Sequence, residues 1–200
     1  TIMMEKMPER CFDVGIAEGH AVTFSAGLAA AGERPFCNVY STFMQRAYDN
    51  VIHDVALQNL PVVLCLDRAG IVGEDGATHH GAFDLAYFSC VPNLTIAAPR
   101  NEWQLRQMMY TASLANHPTV IRYPRGLGEG VEWRDTDFVA MEEGRSEQLK
   151  EGNDVAVIAI GTMANVAMRA AEISSRSVAV YDLRYVKPLD TDMLDMVGKR

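Results

Sequence analysis

Short apolar runs, separated by stretches of helical periodicity, constrain this 200-residue chain more than any other feature. Four runs are expected as strands: residues 35–40, 62–67, 94–97 and 119–122. Between them the spacing predicts helices over 42–58, 83–88 and 101–116. In the last, Leu105, Met108, Met109 and Ala112 recur at i, i+3, i+4 and i+7, one apolar stripe to lay on a sheet. Ahead of these, Val14 and Ile16 read as the end of a buried strand, and 17–31 as a helix of small residues. Strands alternating with helices give an α/β fold, a doubly wound and mostly parallel sheet. Such sheets bind ligands beyond the carboxyl ends of their strands.

From 126 to 152 the pattern lapses into a polar, glycine-containing stretch, with one short strand expected near Phe138. It reads as an interdomain linker. A βαβ unit then starts afresh, with a strand over 155–160, a turn at Gly161 and Thr162, a helix over 163–174 and a strand over 178–182. It stops at Arg200 with too few strands for a sheet, and the opening over 1–10 is as abrupt. The expectation is a piece: a first domain over 1–125 without its N-terminal part, the linker over 126–152, and the start of a second domain over 153–200. The cluster from Gly126 to Gly130 follows a strand but opens no helix, so no phosphate cradle is expected there.

A formal net charge of -8 argues against a nucleic-acid partner, which needs a basic stripe. Anionic substrates stay open, because local arginines act within a screening length of ~8–10 Å. No apolar run reaches the length of about 18 residues needed to span a membrane, and no signal peptide is visible. Cys11, Cys37, Cys65 and Cys90 show no CxxC spacing, and Cys37 and Cys65 lie in or beside apolar runs, where a reduced thiol serves as a small hydrophobe. A reduced, cytoplasmic protein is expected.

Glu18 stands where the small-residue helix begins, among apolar neighbours. A charge in such surroundings is costly unless something hydrogen-bonds to it. It is either a solvated first-turn glutamate favoured by the helix dipole or an acid and proton relay. Phe43, after a polar Ser–Thr turn, is either a core ring or a platform for a cofactor. Arg68 and Arg125 follow strand-like runs; guanidinium forks match phosphate oxygens, and the alternative is a plain surface cation. His79 and His80 are adjacent, so in an extended segment their side chains point apart, and no metal site is expected. An imidazole such as His79 suits proton shuttling near neutral pH. His20 receives no role, and His53 and His117 are expected on the surface.

Four segments together carry a resemblance: Asp13 to Val22, Tyr40 to Asp49, Asp67 to Phe83, and Arg122 to Gly126. They resemble the pyrimidine-binding domain of the thiamine diphosphate enzymes, and among these the 1-deoxy-D-xylulose-5-phosphate synthases. The resemblance covers nearly the whole chain, and the segment from Asp67 to Phe83 is its most specific part. It implies that Glu18 hydrogen-bonds the aminopyrimidine of thiamine diphosphate and so prepares loss of the thiazolium proton. It implies that Phe43 stacks on that ring, with Tyr40 and Arg46 flanking it. Arg68 and Arg125 would hold the phosphate of glyceraldehyde 3-phosphate, Asp75 would lie near the acceptor's hydroxyls, and His79 would touch substrate. The implied reaction joins pyruvate to glyceraldehyde 3-phosphate with loss of CO2, in a homodimer. Position 19 departs from the family, with Gly where glutamine is common. No Gly-Asp-Gly motif followed by Asn is present, so the Mg2+ and diphosphate ligands are expected in a separate N-terminal domain, and the chain alone is expected to be inactive. The rival readings are a transketolase, a 2-oxo acid dehydrogenase beta subunit, or a non-catalytic dimerisation subunit of the same fold.

Overall fold

The computed structural model describes residues 2–199. A short helix α1 (Ile2–Lys6) and an extended stretch lead into α2 (Glu18–Ala30). Then come β1 (Phe36–Tyr40), α3 (Ser41–Met44), α4 (Tyr48–Asn50), β2 (Val63–Asp67), α5 (Asp84–Ser89), β3 (Thr95–Ala97), α6 (Glu102–Leu114) and β4 (Thr119–Arg122). The remainder holds β5 (Glu147–Lys150), β6 (Val155–Ala159), α7 (Met163–Ile173), β7 (Val178–Asp182), β8 (Tyr185–Lys187) and α8 (Thr191–Gly198).

The first sheet runs β1-β2-β4-β3-β8, its first four strands parallel and β8 antiparallel to β3. Strands buried on both faces need apolar side chains in succession, and Val63, Leu64, Cys65 and Leu66 supply them. Leu64, Leu66, Ile96 and Val120 face Val22 and Ala26 of α2, with Met44, Val51 and Phe88. On the other face Val63, Cys65, Ala97 and Ile121 pack against Met108 and Ala112 of α6. The stripe expected on 101–116 is therefore the face that docks. Asn101 caps α6, its side chain accepting the Gln104 N–H at 2.9 Å.

Val14 and Ile16 form no strand. Gly15 takes φ +70° and donates its N–H to Asp13 Oδ1 at 2.9 Å, a local turn that replaces sheet pairing. Ile16 is 95% exposed. The helix expected over 42–58 is broken into α3, a 3-10 turn (Gln45–Ala47), α4 and a π-helical stretch (Val51–Ala56). Met44, Ala47, Val51 and Val55, at i, i+3, i+7 and i+11, still share one core. No strand forms at Phe138; its ring instead packs on Tyr110 at 5.0 Å and under the Arg106 guanidinium at 3.9 Å.

The stretch read as a linker contains β5, and the C-terminal part does build a sheet of its own, β5-β7-β6. It also sends β8 across to close the edge of the first sheet beside β3. His53 is exposed as expected and pairs with Asp49, whereas His117 is half-buried and meets Glu143 at 3.1 Å.

Candidate functional site

The carboxyl ends of β1, β2 and β4 and the first turn of α2 converge on one side of the first sheet, and the side chains singled out from the sequence meet there. Glu18 opens α2 rather than following a strand. Its carboxylate, 13% exposed, accepts a hydrogen bond from Arg46 Nη1 at 2.9 Å. The same guanidinium lies 4.7 Å from the centre of the Phe43 ring. Phe43 stacks on Tyr40 at 5.8 Å and 17°, and receives the edge of His79 at 5.3 Å and 71°. Tyr40 ends β1, so its ring is placed by a strand and Phe43 by the helix that follows at once.

Beyond Tyr40 the cluster becomes ionic. The Arg68 guanidinium sits 3.8 Å from the centre of the Tyr40 ring, an attractive arrangement for a cation on a π face. Arg68 takes φ +61°, an uncommon conformation for a side chain with a Cβ. Asp67, at the end of β2, fixes it from both directions, accepting the Arg68 N–H at 2.7 Å and pairing with its guanidinium. Asp75 then forms ion pairs with both arginines, 3.6 Å from Arg68 Nε and 3.0 Å from Arg125 Nε. A single carboxylate thus holds two forks side by side.

Residues 77–79 form a 3-10 turn rather than an extended segment, and the two imidazoles have different partners: His79 lies against Phe43 and Thr78 Oγ1, while His80 Nδ1 accepts the Val72 N–H at 3.2 Å. His20 stacks on Phe24 at 6.0 Å, outside the cluster.

Arg68 and Arg125 also line a cleft of about 410 Å³, with Arg100 and Tyr123 from neighbouring strand ends and Thr162 ahead of α7. Burial pushes the Tyr123 hydroxyl well above its ordinary value. The glycine loop from 126 to 130 borders this cleft, but its N–H groups serve a protein carboxylate. Glu102 accepts from Glu129 N at 3.2 Å and Gly130 N at 2.9 Å. Such backbone donors, its own N–H first and then Gly130's, hold the Glu102 carboxyl below the usual range.

Sequence reasoning missed Asp67, Arg100 and a buried group formed by Ser41, Asp84 and Arg122. Asp67 carried a signal, an acid at the end of a strand beside a chosen arginine. Asp84 carried none, because its partners lie 43 and 38 residues away.

The family model for the transketolase pyrimidine binding domain matches residues 3–130, and that for the transketolase C-terminal domain matches 144–200. The 1-deoxy-D-xylulose-5-phosphate synthase of Bacteroides thetaiotaomicron is 61% identical over 203 residues, covering 99% of this chain and 31% of that protein. The synthase of Phocaeicola vulgatus is 61% identical over 204 residues, covering 100% and 32%. The chain therefore spans about a third of the length of the curated relatives it matches. Among solved structures, a split-gene transketolase described as an inactive beta4 tetramer superposes with a TM-score of 0.86 at 30% identity, covering 98% of this chain and 64% of that one. The chain belongs to the transketolase family, matching its pyrimidine-binding domain and, after it, its C-terminal domain.

Proposed function

We propose that this chain is the pyrimidine-side part of a synthase that condenses pyruvate with D-glyceraldehyde 3-phosphate, releasing CO2, to give 1-deoxy-D-xylulose 5-phosphate. That product is a precursor of isoprenoids, thiamine and pyridoxal. The observation that carries the reading is the unbroken series of contacts from Glu18 through Arg46, Phe43, Tyr40, Arg68 and Asp75 to Arg125. It joins a carboxylate beside an aromatic shelf to a paired-arginine anion site, the two ends that a heterocyclic cofactor and a phosphorylated aldehyde require.

The residues fit the pyrimidine half of thiamine diphosphate. A flat ring laid on Phe43 would come within reach of the Glu18 carboxylate, and Arg46, with 60% of its side chain exposed, is the member free to swing aside. When bound, the cofactor supplies the carbanion chemistry, and the protein orients it and tunes its electronics. Glu18 would hold a proton at a ring nitrogen, Tyr40 and Phe43 would exclude water from one face, and His79 would offer a polar contact to substrate. Arg68 and Arg125, already aligned by Asp75, would exchange that carboxylate for the acceptor's phosphate oxygens. Among the described residues no group of three or more His, Cys, Asp or Glu could hold a metal. The Mg2+ that binds the diphosphate is assigned to a separate N-terminal domain on a different ground, that the sequence carries no Gly-Asp-Gly motif followed by Asn. We assign the assembled enzyme to the cytoplasm as a homodimer; buried Cys37 and Cys65 serve as apolar fillers of β1 and β2.

The rival readings differ in product. Incubating the full-length protein with pyruvate, glyceraldehyde 3-phosphate, thiamine diphosphate and Mg2+ should yield CO2 and the deoxyketose phosphate in equal amounts. Turnover only with ketose phosphate donors would instead indicate a transketolase, CO2 release from pyruvate without the deoxyketose phosphate a 2-oxo acid dehydrogenase, and no turnover in any of these assays a non-catalytic subunit.

A further inference from the structure

Beneath the aromatic shelf lies a carboxylate that none of the roles above uses. Asp84, at the start of α5, is 2% exposed. Its Oδ2 accepts the Ser41 hydroxyl at 3.0 Å and Arg122 Nε–H at 2.8 Å, and its Oδ1 accepts the Leu85 N–H at 2.8 Å. Ser41, 1% exposed, opens α3 between Tyr40 and Phe43. Arg122 ends β4, three residues before Arg125. Asp84 itself follows the His79 loop. One buried carboxylate therefore ties together the segments that carry the shelf, the loop and the phosphate arm.

The loop reaches it with no slack. Gly70 and Gly81 exchange N–H···O bonds at 2.8 Å in each direction. A Cβ at Gly81 would lie 2.5 Å from both the Arg68 carbonyl oxygen and Ser41 Oγ. Stability alone gives little reason for such a carboxylate, because a buried ion pair is often no better than apolar residues of similar volume. What apolar side chains cannot supply is direction. Two donors meeting one oxygen at 2.8 and 3.0 Å define where α3 and β4 sit relative to each other.

We propose that Asp84 is a positioning residue that sets the spacing between Phe43 and Arg125, acting through Ser41 on one side and Arg122 on the other. The proposal rests on the reading of Phe43 as the cofactor's shelf and Arg125 as a phosphate anchor. The arms should be separable. In the full-length enzyme, Ser41→Ala is expected to weaken thiamine diphosphate binding, read by calorimetric titration, roughly 5-fold or more while leaving the acceptor KM within about twofold. Arg122→Gln should do the reverse, and Asp84→Asn should weaken both by about 10-fold or more. A general loss of fold would not divide the two constants in this way.

Phe43→Ala and Arg125→Ala serve as direct controls. If these shift their respective constants while Ser41→Ala, Arg122→Gln and Asp84→Asn stay at parent values, or while Ser41→Ala and Arg122→Gln each shift both constants equally, the positioning role is overturned. If the controls themselves change nothing, the reading of the site fails, and the positioning role with it. Should Asp84→Asn not fold, the division between Ser41→Ala and Arg122→Gln decides the matter.

Discussion

Glu18 and Arg46 form a pair in which one partner is mostly sheltered and the other mostly exposed, 13% against 60%. The exposed arginine can leave while the carboxylate stays, as the proposed meeting of Glu18 with an incoming heterocycle requires. Glu18→Gln in the full-length protein should lower turnover by at least about 100-fold, the usual scale for a positioned proton-transfer group. Near-parent turnover would remove Glu18 from the chemistry. Gly19 next to it is accommodated locally: a Cβ there would come 3.0 Å from Asn50 Oδ1, so any larger side chain would need Asn50 to move. At the other end of the cluster, Arg125 and Arg68 share Asp75. Losing a charged hydrogen bond to phosphate costs roughly 1.5–3 kcal/mol, so Arg125→Glu should raise the KM for the triose phosphate at least about 10-fold. The KM for pyruvate should move far less, and equal rises in both would assign Arg125 to something other than the phosphate.

At the scale of the elements, α8 shows how a C-terminal helix is held. Asp190 accepts the Met193 N–H at 3.0 Å as its cap, and also takes Ser146 N at 2.9 Å and Ser146 Oγ at 2.7 Å. Burial works to raise its carboxyl, but these hydrogen bonds and Arg145 outweigh burial and hold it below the usual 3.8. A depressed native value adds stability above pH 3.8, and that stability is lost as pH falls through the native value. Asp190→Ala should therefore destabilise the C-terminal part by about 0.5–2 kcal/mol near neutral pH. The gap from the parent, read from thermal melts, should shrink as the pH drops below 3.8; a gap independent of pH would refute the charge's role. Local pattern made several elements legible. β4 falls on the expected 119–122, and β1, β2 and β3 lie within a residue of their expected bounds at the N-terminal side. It failed where the deciding partner was distant or missing. Tyr185–Lys187 is too short to show a period, and only pairing with β3 makes it a strand. Val14 and Ile16 have strand-like side chains but no strand to pair with among the described residues. Part of the candidate site was legible because Tyr40, Arg68 and Arg125 stand at or just beyond strand ends, whereas Asp84 is defined wholly by long-range contacts.

For the whole molecule, the two sheets are joined by more than the chain between them. β8 leaves the C-terminal part to cover β3, with Tyr185 and Val186 packed into the first core. An uncovered β3 would be an edge open to other chains. Nearby, Asp182 is fully buried and accepts Gln104 Nε2 at 2.9 Å and Arg184 N at 3.1 Å. Burial pushes its carboxyl up, against those hydrogen bonds and the nearby Arg100 and Arg184 charges. Asn165 Nδ2 on α7 reaches the Arg100 carbonyl at 2.8 Å. With β3 covered and the junction hydrogen-bonded, the binding behaviour of the 200-residue chain is informative wherever circular dichroism shows it folded. The chain carries the stacked Tyr40 and Phe43 rings proposed above as the pyrimidine's shelf, yet its sequence has no Gly-Asp-Gly motif followed by Asn for the diphosphate and its metal. A flat heterocycle without its charged tail offers little contact area, and association must first overcome about 4 kcal/mol or more of lost freedom. Calorimetry on the 200-residue chain, with far-UV circular dichroism to verify folding, should detect no micromolar binding of thiamine diphosphate even with Mg2+ present. The full-length protein under the same conditions should bind it. Micromolar affinity in the shorter chain would place the diphosphate ligands within these residues and would require a different partition of the cofactor site.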